Sequence, residues 1–235
     1  MIEPRFSASK GAVDRAGDRL REWTTSSEAA DFPEDALNLL FDFRAEFENP
    51  MKKVTVGVRQ FVVRELPPDA AVTVGQRLKR APQMVIKLVR HPGMKLSRMQ
   101  DIGGCRAILP SRAEVVAVRA RIDRNWQVKR SKDYTFEEPA DSGYRAMHVV
   151  VERDSRLIEI QLRTPQQHAW AEAVERTDKR LGFDLKGGDG PPILLEYFRL
   201  AAHGLALEEL GESPDPQFLR QFNEVYAEVR HYFER

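Results

Sequence analysis

A tyrosine, a histidine, a glutamate and an arginine fall within one short stretch, Asp141 to Arg163, which reads DSGYRAMHVVVERDSRLIEIQLR. Groups of these kinds take up protons and hold cations, so what matters is whether the fold brings them to one surface. Ser142-Gly143 marks a turn, and Tyr144 to Val151 is rich in aromatic and β-branched residues, a strand signal. Glu152 to Ser155 is a polar break. Leu157 to Arg163 then alternates, with Ile158, Ile160 and Leu162 on one face and Glu159, Gln161 and Arg163 on the other. The pattern predicts a β-hairpin with one buried face. A turn centred between Arg153 and Asp154 sets His148 opposite Glu159, Ala146 opposite Gln161 and Tyr144 opposite Arg163. Directly opposed residues project from the same face, with Cβ atoms about 4.5–5.5 Å apart. The apolar isoleucines and Leu162 are expected beneath a helix, the one containing Trp170. The plain alternative is a hairpin with an ordinary solvated polar face.

Two clusters of cations accompany the hairpin. Val72 to Lys79 reads as a strand ending in Arg77, Lys79 and Arg80. A helix is expected from Pro82 to His91, with Gln83, Lys87 and Arg90 along one face. A basic strand end feeding a helix with two aligned cations can hold a polyphosphate, or it is a solvated charged face. The second cluster, Lys129 to Tyr134, follows a strand that starts at Trp126. Between the clusters, Cys105 to Leu109 is an apolar strand interrupted by Arg106, a charge that needs a partner or a ligand there. Asp101 precedes Gly103-Gly104, a pair that permits close approach of a ligand or another backbone. In an unbroken strand Asp101 and Arg106 point to opposite faces, so Asp101 must precede the strand or a bulge must intervene.

The whole chain sets limits. Its 235 residues are 42% hydrophobic and 31% charged with a net charge of +1, enough apolar material for a core and no basic surplus that demands nucleic acid. One cysteine, Cys105, rules out an intramolecular disulfide framework. No apolar run is long enough to span a membrane, and the N-terminus lacks a signal-peptide core, so a cytoplasmic location is expected. Residues 1–30 are polar and read as an arm. Helices are expected over Glu34 to Glu48, broken by Pro50, and over Met51 to Leu66, both packing on the core. Further helices are expected over Ala113 to Arg124 and, after a Thr164 N-cap, over Pro165 to Arg180, where His168 and Glu172 form an i, i+4 structural pair. A glycine-rich boundary at Gly187 to Pro192 leads to two more, Ile193 to Leu210 and Pro216 to Phe233. The last carries an aromatic stripe, Phe218, Phe222, Tyr226 and Phe233, suited to core packing or a subunit interface.

Taken in order, the motifs are an Arg-x-Lys strand, a lysine eight residues on, Asp-Ile-x-Gly-x-Arg, Arg-x-Lys-Asp-Tyr, Gly-Tyr-Arg-x-x-His and Glu-Ile-Gln-x-Arg-Thr. This series, over residues 72–180, resembles the synthetase domain of the RelA/SpoT family of alarmone synthetases. The resemblance implies an α+β fold with a nucleotidyltransferase-like mixed β-sheet flanked by helices. It also implies transfer of the β,γ-pyrophosphate of ATP to the ribose 3′-hydroxyl of GTP or GDP with Mg²⁺, giving (p)ppGpp. On this resemblance Asp101 and Glu159 are the catalytic and metal-binding carboxylates. Arg77 and Arg106 sandwich adenine, and Lys79, Lys87 and Arg90 clamp the ATP phosphates. Arg130, Ser131, Lys132, Asp133, Tyr144, His148, Gln161 and Arg163 serve the acceptor, with guanine stacked on Tyr144. Tyr144→Phe should then be mild, because the ring face does the stacking. The resemblance divides the chain into a helical extension at 1–70, a synthetase core at 71–182 and C-terminal helices at 190–235 for packing or for oligomerisation as a tetramer.

The chemistry of the residues agrees. Pyrophosphoryl transfer needs positioning, cations against growing phosphate charge and a metal on hard carboxylate oxygens, and a carboxylate base helps a weak ribose nucleophile. The chain shows no His-Asp hydrolase motif, so it reads as a small, synthetase-only member. A toxin-like member modifying the 3′ end of tRNA is the alternative within the family. A nucleotidyltransferase moving a nucleoside monophosphate would need Gly-Ser and Asp-x-Asp, neither of which occurs. Intact Asp101 and Glu159 argue against a dead nucleotide sensor.

Overall fold

The computed structural model describes residues 8–26, 31–135 and 141–234. The polar loop expected over Glu137 to Ser142 lies largely outside them. In chain order the described residues form α1 (Lys10–Thr25), α2 (Glu34–Ala45), α3 (Glu48–Glu65), β1 (Thr73–Leu78), α4 (Ala81–Arg90), β2 (Gly103–Ile108) and α5 (Arg112–Asn125). They continue with β3 (Val128–Asp133), β4 (Met147–Arg153), β5 (Arg156–Arg163), α6 (Pro165–Leu181), α7 (Pro192–Leu210) and α8 (Pro216–Val229). The fold is α+β, a mixed five-stranded sheet with helices around it. Strand order is β1-β2-β5-β4-β3; β2 and β5 run parallel and the other neighbours antiparallel.

Local chemistry explains most boundaries. Thr164 caps α6 with a reciprocal capping box, its hydroxyl accepting from Gln167 N while the Gln167 amide oxygen accepts from Thr164 N. Ser111 and Asp215 cap α5 and α8 without the reciprocal bond, one side-chain oxygen accepting from early helix N–H groups. Pro50 does not break a helix. The chain turns at Glu46-Phe47 instead, and Pro50 sits in the first turn of α3, where no intrahelical donor is needed. The second basic cluster does not follow a strand but is one: β3 is an edge strand of exposed cations, which also discourages edge-to-edge pairing.

Alternation along the strands divides the sheet into two faces. Cys105 and Ala107 of β2, Met147, Val149 and Val151 of β4, and Ile158, Ile160 and Leu162 of β5 all face a core shared with Val54 and Val58 of α3 and Val115, Val118 and Ile122 of α5. Burying each large aliphatic side chain contributes about 1.5–3 kcal/mol. Gly103 belongs to this side; a Cβ there would lie 3.1 Å from both Ile158 and Phe47. The expectation that Ile158, Ile160 and Leu162 lie under the Trp170 helix is therefore corrected. Trp170 sits in a second apolar cluster with Tyr144, Leu185, Leu194 and Phe198, and its indole N–H donates to the Phe198 carbonyl at 2.7 Å.

The hairpin register is also corrected. Arg153 pairs with Arg156, leaving a two-residue turn of Asp154 (φ 48°) and Ser155 (φ 58°). Both are left-handed, as in a type I′ turn, although neither is the glycine or asparagine that usually signals one. His148 consequently faces Gln161, and Glu159 faces Val150. Tyr144 lies ahead of β4, and Arg163 pairs with Ile108 of β2. The slip keeps the parity of every residue, so the expected side chains still share one face.

Candidate active site

The second face of the sheet carries the polar residues of the central strands. β1 contributes Arg77, β2 Gly104 and Arg106, β5 Glu159, Gln161 and Arg163, β4 His148 and β3 Arg130 and Lys132, and the pairings place all of them on one side. Gly104 pairs with Arg77 on one flank and Glu159 on the other, so no side chain rises between them. The open floor expected from the glycine pair is thus supplied by Gly104, while Gly103 serves packing.

Asp101 lies in the turn before β2, which resolves the parity conflict without a bulge. Lys79, just past β1, and Lys87 of α4 both place their ammonium groups 2.9 Å from Asp101 Oδ2. The other oxygen, Asp101 Oδ1, is buried and has no hydrogen-bond partner. Burial pushes this carboxyl up, but the two lysines outweigh it and hold it below the usual range. Glu159 lies close enough for the two carboxylates to repel. Its Oε1 is 2.9 Å from His148 Nδ1, and its Oε2 accepts from Gln161 Nε2 at 2.7 Å. Burial opposes ionisation of Glu159 as well, and His148 overcomes it, so this carboxyl is also lowered. An unpartnered buried oxygen on one carboxylate with a second carboxylate beside it fits a hard divalent cation that takes its other ligands from water and substrate. Among the described residues no cluster of three or more His, Cys, Asp or Glu exists, so the protein alone does not complete such a site.

Tyr144 is not the exposed ring expected from the sequence. It is 3% exposed and works through its hydroxyl. That oxygen is 2.7 Å from His148 Nε2 and accepts from Arg163 Nη2, also at 2.7 Å. Burial raises the phenol, but Lys186, Arg163 and His148 bring it down to about 8. For His148, burial lowers the imidazole and contacts with Glu159 and Tyr144 raise it, for a net increase. Arg163 is 1% exposed; it also donates to Gln161 Oε1 at 3.0 Å, and its Nε and Nη1 have no partner. Gln161, Glu159, His148, Tyr144 and Arg163 therefore form one hydrogen-bonded chain. The ring itself is covered, with the Lys186 ammonium 3.9 Å from its centre.

The remaining cations flank this chain. Arg77 lies 4.0 Å from Glu175 of α6. Arg106, with an unpartnered buried Nε, is lowered first by burial and then by Arg163. Arg90 pairs with Asp184 at 2.6 Å. Lys132 lies over the Tyr134 ring at 4.6 Å, and Arg130 is exposed at the sheet edge. Ser131 and Asp133 are the acceptor-side residues the fold does not bring to this face. They pair with Val149 and Met147 on the core side, and the Asp133 carboxylate accepts from Thr135 N. His168 and Glu172 form the expected pair at 3.4 Å.

Sequence reasoning missed Glu175, Asp184, Lys186 and the role of Tyr134 as an aromatic neighbour of both Tyr144 and His148. The first three come from α6 and the segment after it, where nothing in local spacing links them to the strands. A glycine-rich segment after a helix reads as a boundary, and here it folds over the site.

Comparisons with known proteins agree with this geometry. Residues 76–178 match the family model described as a region found in RelA / SpoT proteins. An uncharacterized Mycobacterium tuberculosis protein, Rv1366, is 27% identical over 122 residues, 52% of this chain and 45% of that protein, so the chain matches about half the length of this curated relative. Among solved structures, small alarmone synthetase 1 from Bacillus subtilis bound to its product pppGpp superposes with a TM-score of 0.59 at 22% identity, covering 72% of this chain and 92% of that one. A GTP pyrophosphokinase family protein from Streptococcus pneumoniae gives 0.56 at 24% identity, covering 76% and 96%. No helix among the described residues is long and apolar enough to cross a membrane. Residues 76–178 of the chain thus match the region found in RelA / SpoT proteins, and the mixed sheet with its flanking helices has the fold of small alarmone synthetases.

Proposed function

We propose that this protein is a (p)ppGpp synthetase, transferring the β,γ-pyrophosphate of ATP to the ribose 3′-hydroxyl of GTP or GDP. The observation that carries this reading is the unpartnered, buried Asp101 Oδ1, on a carboxylate whose other oxygen contacts Lys79 and Lys87 and which lies near enough to Glu159 to repel it. In the reaction the 3′-oxygen bonds to the β-phosphorus, the bond from that phosphorus to the α-phosphate oxygen breaks, and AMP leaves. Asp101 and Glu159 would hold Mg²⁺ through hard oxygens, and the ion would supply positive charge against the charge growing on the phosphates. Glu159, kept ionised by His148, also stands ready to accept the hydroxyl proton. Lys79, Lys87 and Arg90 meet the donor phosphates, exchanging carboxylate partners for phosphate oxygens. Arg77 and Arg106 share one face of adjacent strands and flank the adenine. The guanine site is built around Tyr144, His148, Gln161 and Arg163, with Arg130 and Lys132 at its edge, in a cytoplasmic enzyme. The helices α7 and α8 are the surfaces through which copies would associate.

The alternative acceptor within the family, the 3′ end of tRNA, draws support from the exposed cations of edge strand β3. Incubation with Mg²⁺, ATP labelled in the β-phosphate and GTP, GDP or deacylated tRNA decides between them. Label in a guanine nucleotide is expected. Label only in tRNA would transfer the reading to that acceptor, and no transfer to any acceptor would sink it.

A further inference from the structure

The segment that closes over the site, between α6 and α7, is a built turn. Asp184 and Asp189 exchange two backbone hydrogen bonds, at 3.0 and 2.9 Å. Leu185 is buried in the second apolar cluster, and its N–H donates to Asp178 Oδ1 at 2.8 Å. A Cβ at Gly187 would lie 2.6 Å from the Asp184 carboxylate, so a side chain there would displace the carboxylate that Arg90 holds. The turn is therefore held at its base and presents two charged side chains. Asp184 reaches Arg90, on the side proposed for the donor. Lys186 reaches the Tyr144 ring, on the side proposed for the acceptor.

Charge pairing separates Lys186 from the donor-side cations. Lys79, Lys87 and Arg90 each hold a carboxylate. Lys186 holds none among the described residues; its ammonium rests only on the ring of Tyr144. A cation on a ring face is easily exchanged, and an ammonium without a carboxylate needs no partner broken before it meets an anion. A purine base arriving over Tyr144 would take the ring face and release that ammonium beside a nucleotide whose only formal charges are its 5′-phosphates.

We propose that Lys186, from the turn beyond the family-matched region, is a specificity residue of the acceptor site that reads the 5′-phosphates of the incoming nucleotide. The proposal rests on the synthetase reading above and adds a determinant for how many phosphates the acceptor carries. Base and phosphates are then bound by one exchange: stacking replaces the cation on Tyr144, and the displaced cation pairs with the phosphates of the same molecule.

The test compares GTP, GDP and unphosphorylated guanosine as acceptors for the wild type, Lys186→Met and Lys186→Arg. In Lys186→Met the ratio of kcat/KM for GTP to that for guanosine should fall about tenfold, the weight of one hydrogen bond to a charged group. The loss should lie in the acceptor KM, with kcat and the KM for ATP little changed, and Lys186→Arg should restore most of the ratio. Equal losses for all three acceptors, or a raised KM for ATP, would place Lys186 elsewhere and overturn the proposal. So would a lowered acceptor KM, which would make the lysine an obstruction. If the wild type labels no guanine nucleotide, the synthetase reading fails and takes this proposal with it. If the wild type labels them and the ratio is unmoved, this proposal alone fails.

Discussion

The two faces of the sheet are made from the same strands, yet they differ in how each residue is held. On the core face Val149, Ile160 and Ala107 are fully buried, and their neighbours are interchangeable aliphatic side chains from α3 and α5. On the site face Tyr144 and Arg163 are buried and His148 and Glu159 partly buried, but each depends on one specific atom of the next. Dispersion and hydrophobic burial tolerate substitution by similar volume; a buried hydrogen-bonded chain does not, because each lost partner leaves an unsatisfied group. The first face should therefore govern stability with little bearing on chemistry, and the second should govern chemistry.

The strongest test of that separation is Asp101→Asn. It keeps the shape and removes the charged ligand, so transfer should fall by roughly 10²–10⁴-fold, the range lost when a group acting in the transition state is removed. Circular dichroism should show the fold intact. Turnover near that of the wild type would remove Asp101 from the mechanism.

Ile160→Ala attacks the other face. A fully buried isoleucine cut to alanine should cost about 2–5 kcal/mol in denaturant unfolding. The fraction that remains folded should keep an acceptor KM close to the wild type. A stability change under about 1 kcal/mol would mean that this face is less tightly packed than its complete burial indicates.

How far the sequence could be read follows the same division. Period-two alternation identified Ile158, Ile160 and Leu162 as buried and Glu159 and Gln161 as facing the site, because parity depends only on counting along one strand. Partner identity was less accessible. The register rested on where the turn is centred, and Asp154-Ser155 adopts a doubly left-handed turn without the glycine that would announce it. His148 and Glu159 still meet, since a two-residue slip preserves the face and their side chains span the diagonal at 2.9 Å. The motif series located Asp101, Lys79 and Lys87, but no spacing rule brings Lys186 to Tyr144 across forty-odd residues and a whole helix. The helix that covers the isoleucines was misassigned for the same reason, because contacts between distant elements leave no periodic trace.

Tyr144→Phe sharpens the comparison at one oxygen. With the ring taken as a stacking platform, this change should be mild. The structure reverses that expectation, since the phenol oxygen accepts from Arg163, whose Nε and Nη1 are already unpartnered, and holds His148 Nε2. Losing it should cost about 1–3 kcal/mol of stability, the penalty for an unsatisfied buried group. It should also change the environment of the His148 ring by NMR, since its Nε2 partner is gone. An unmoved melting temperature together with an unmoved His148 resonance would show that the hydroxyl is dispensable.

The smallest effect is expected in acid, and it distinguishes the faces by titration. Asp101 has a folded value below its ordinary 3.8, because Lys79 and Lys87 outweigh burial. A carboxyl lowered on folding contributes stability that is present above the unfolded value and lost as pH falls through the folded one. Glu159 behaves alike below its ordinary 4.5, through His148. The wild type should thus lose stability on acidification partly through Asp101, and Asp101→Asn, which has no proton to gain there, should lose less. The gap between the two proteins should change steadily as pH drops past about 4. The gap between wild type and Ile160→Ala should not, because neither isoleucine nor alanine titrates. Unfolding curves in urea at several pH values between about 3 and 7 give both differences from one set of samples. A pH-independent Asp101→Asn gap would mean that the two lysines do not hold this carboxylate as their 2.9 Å contacts imply.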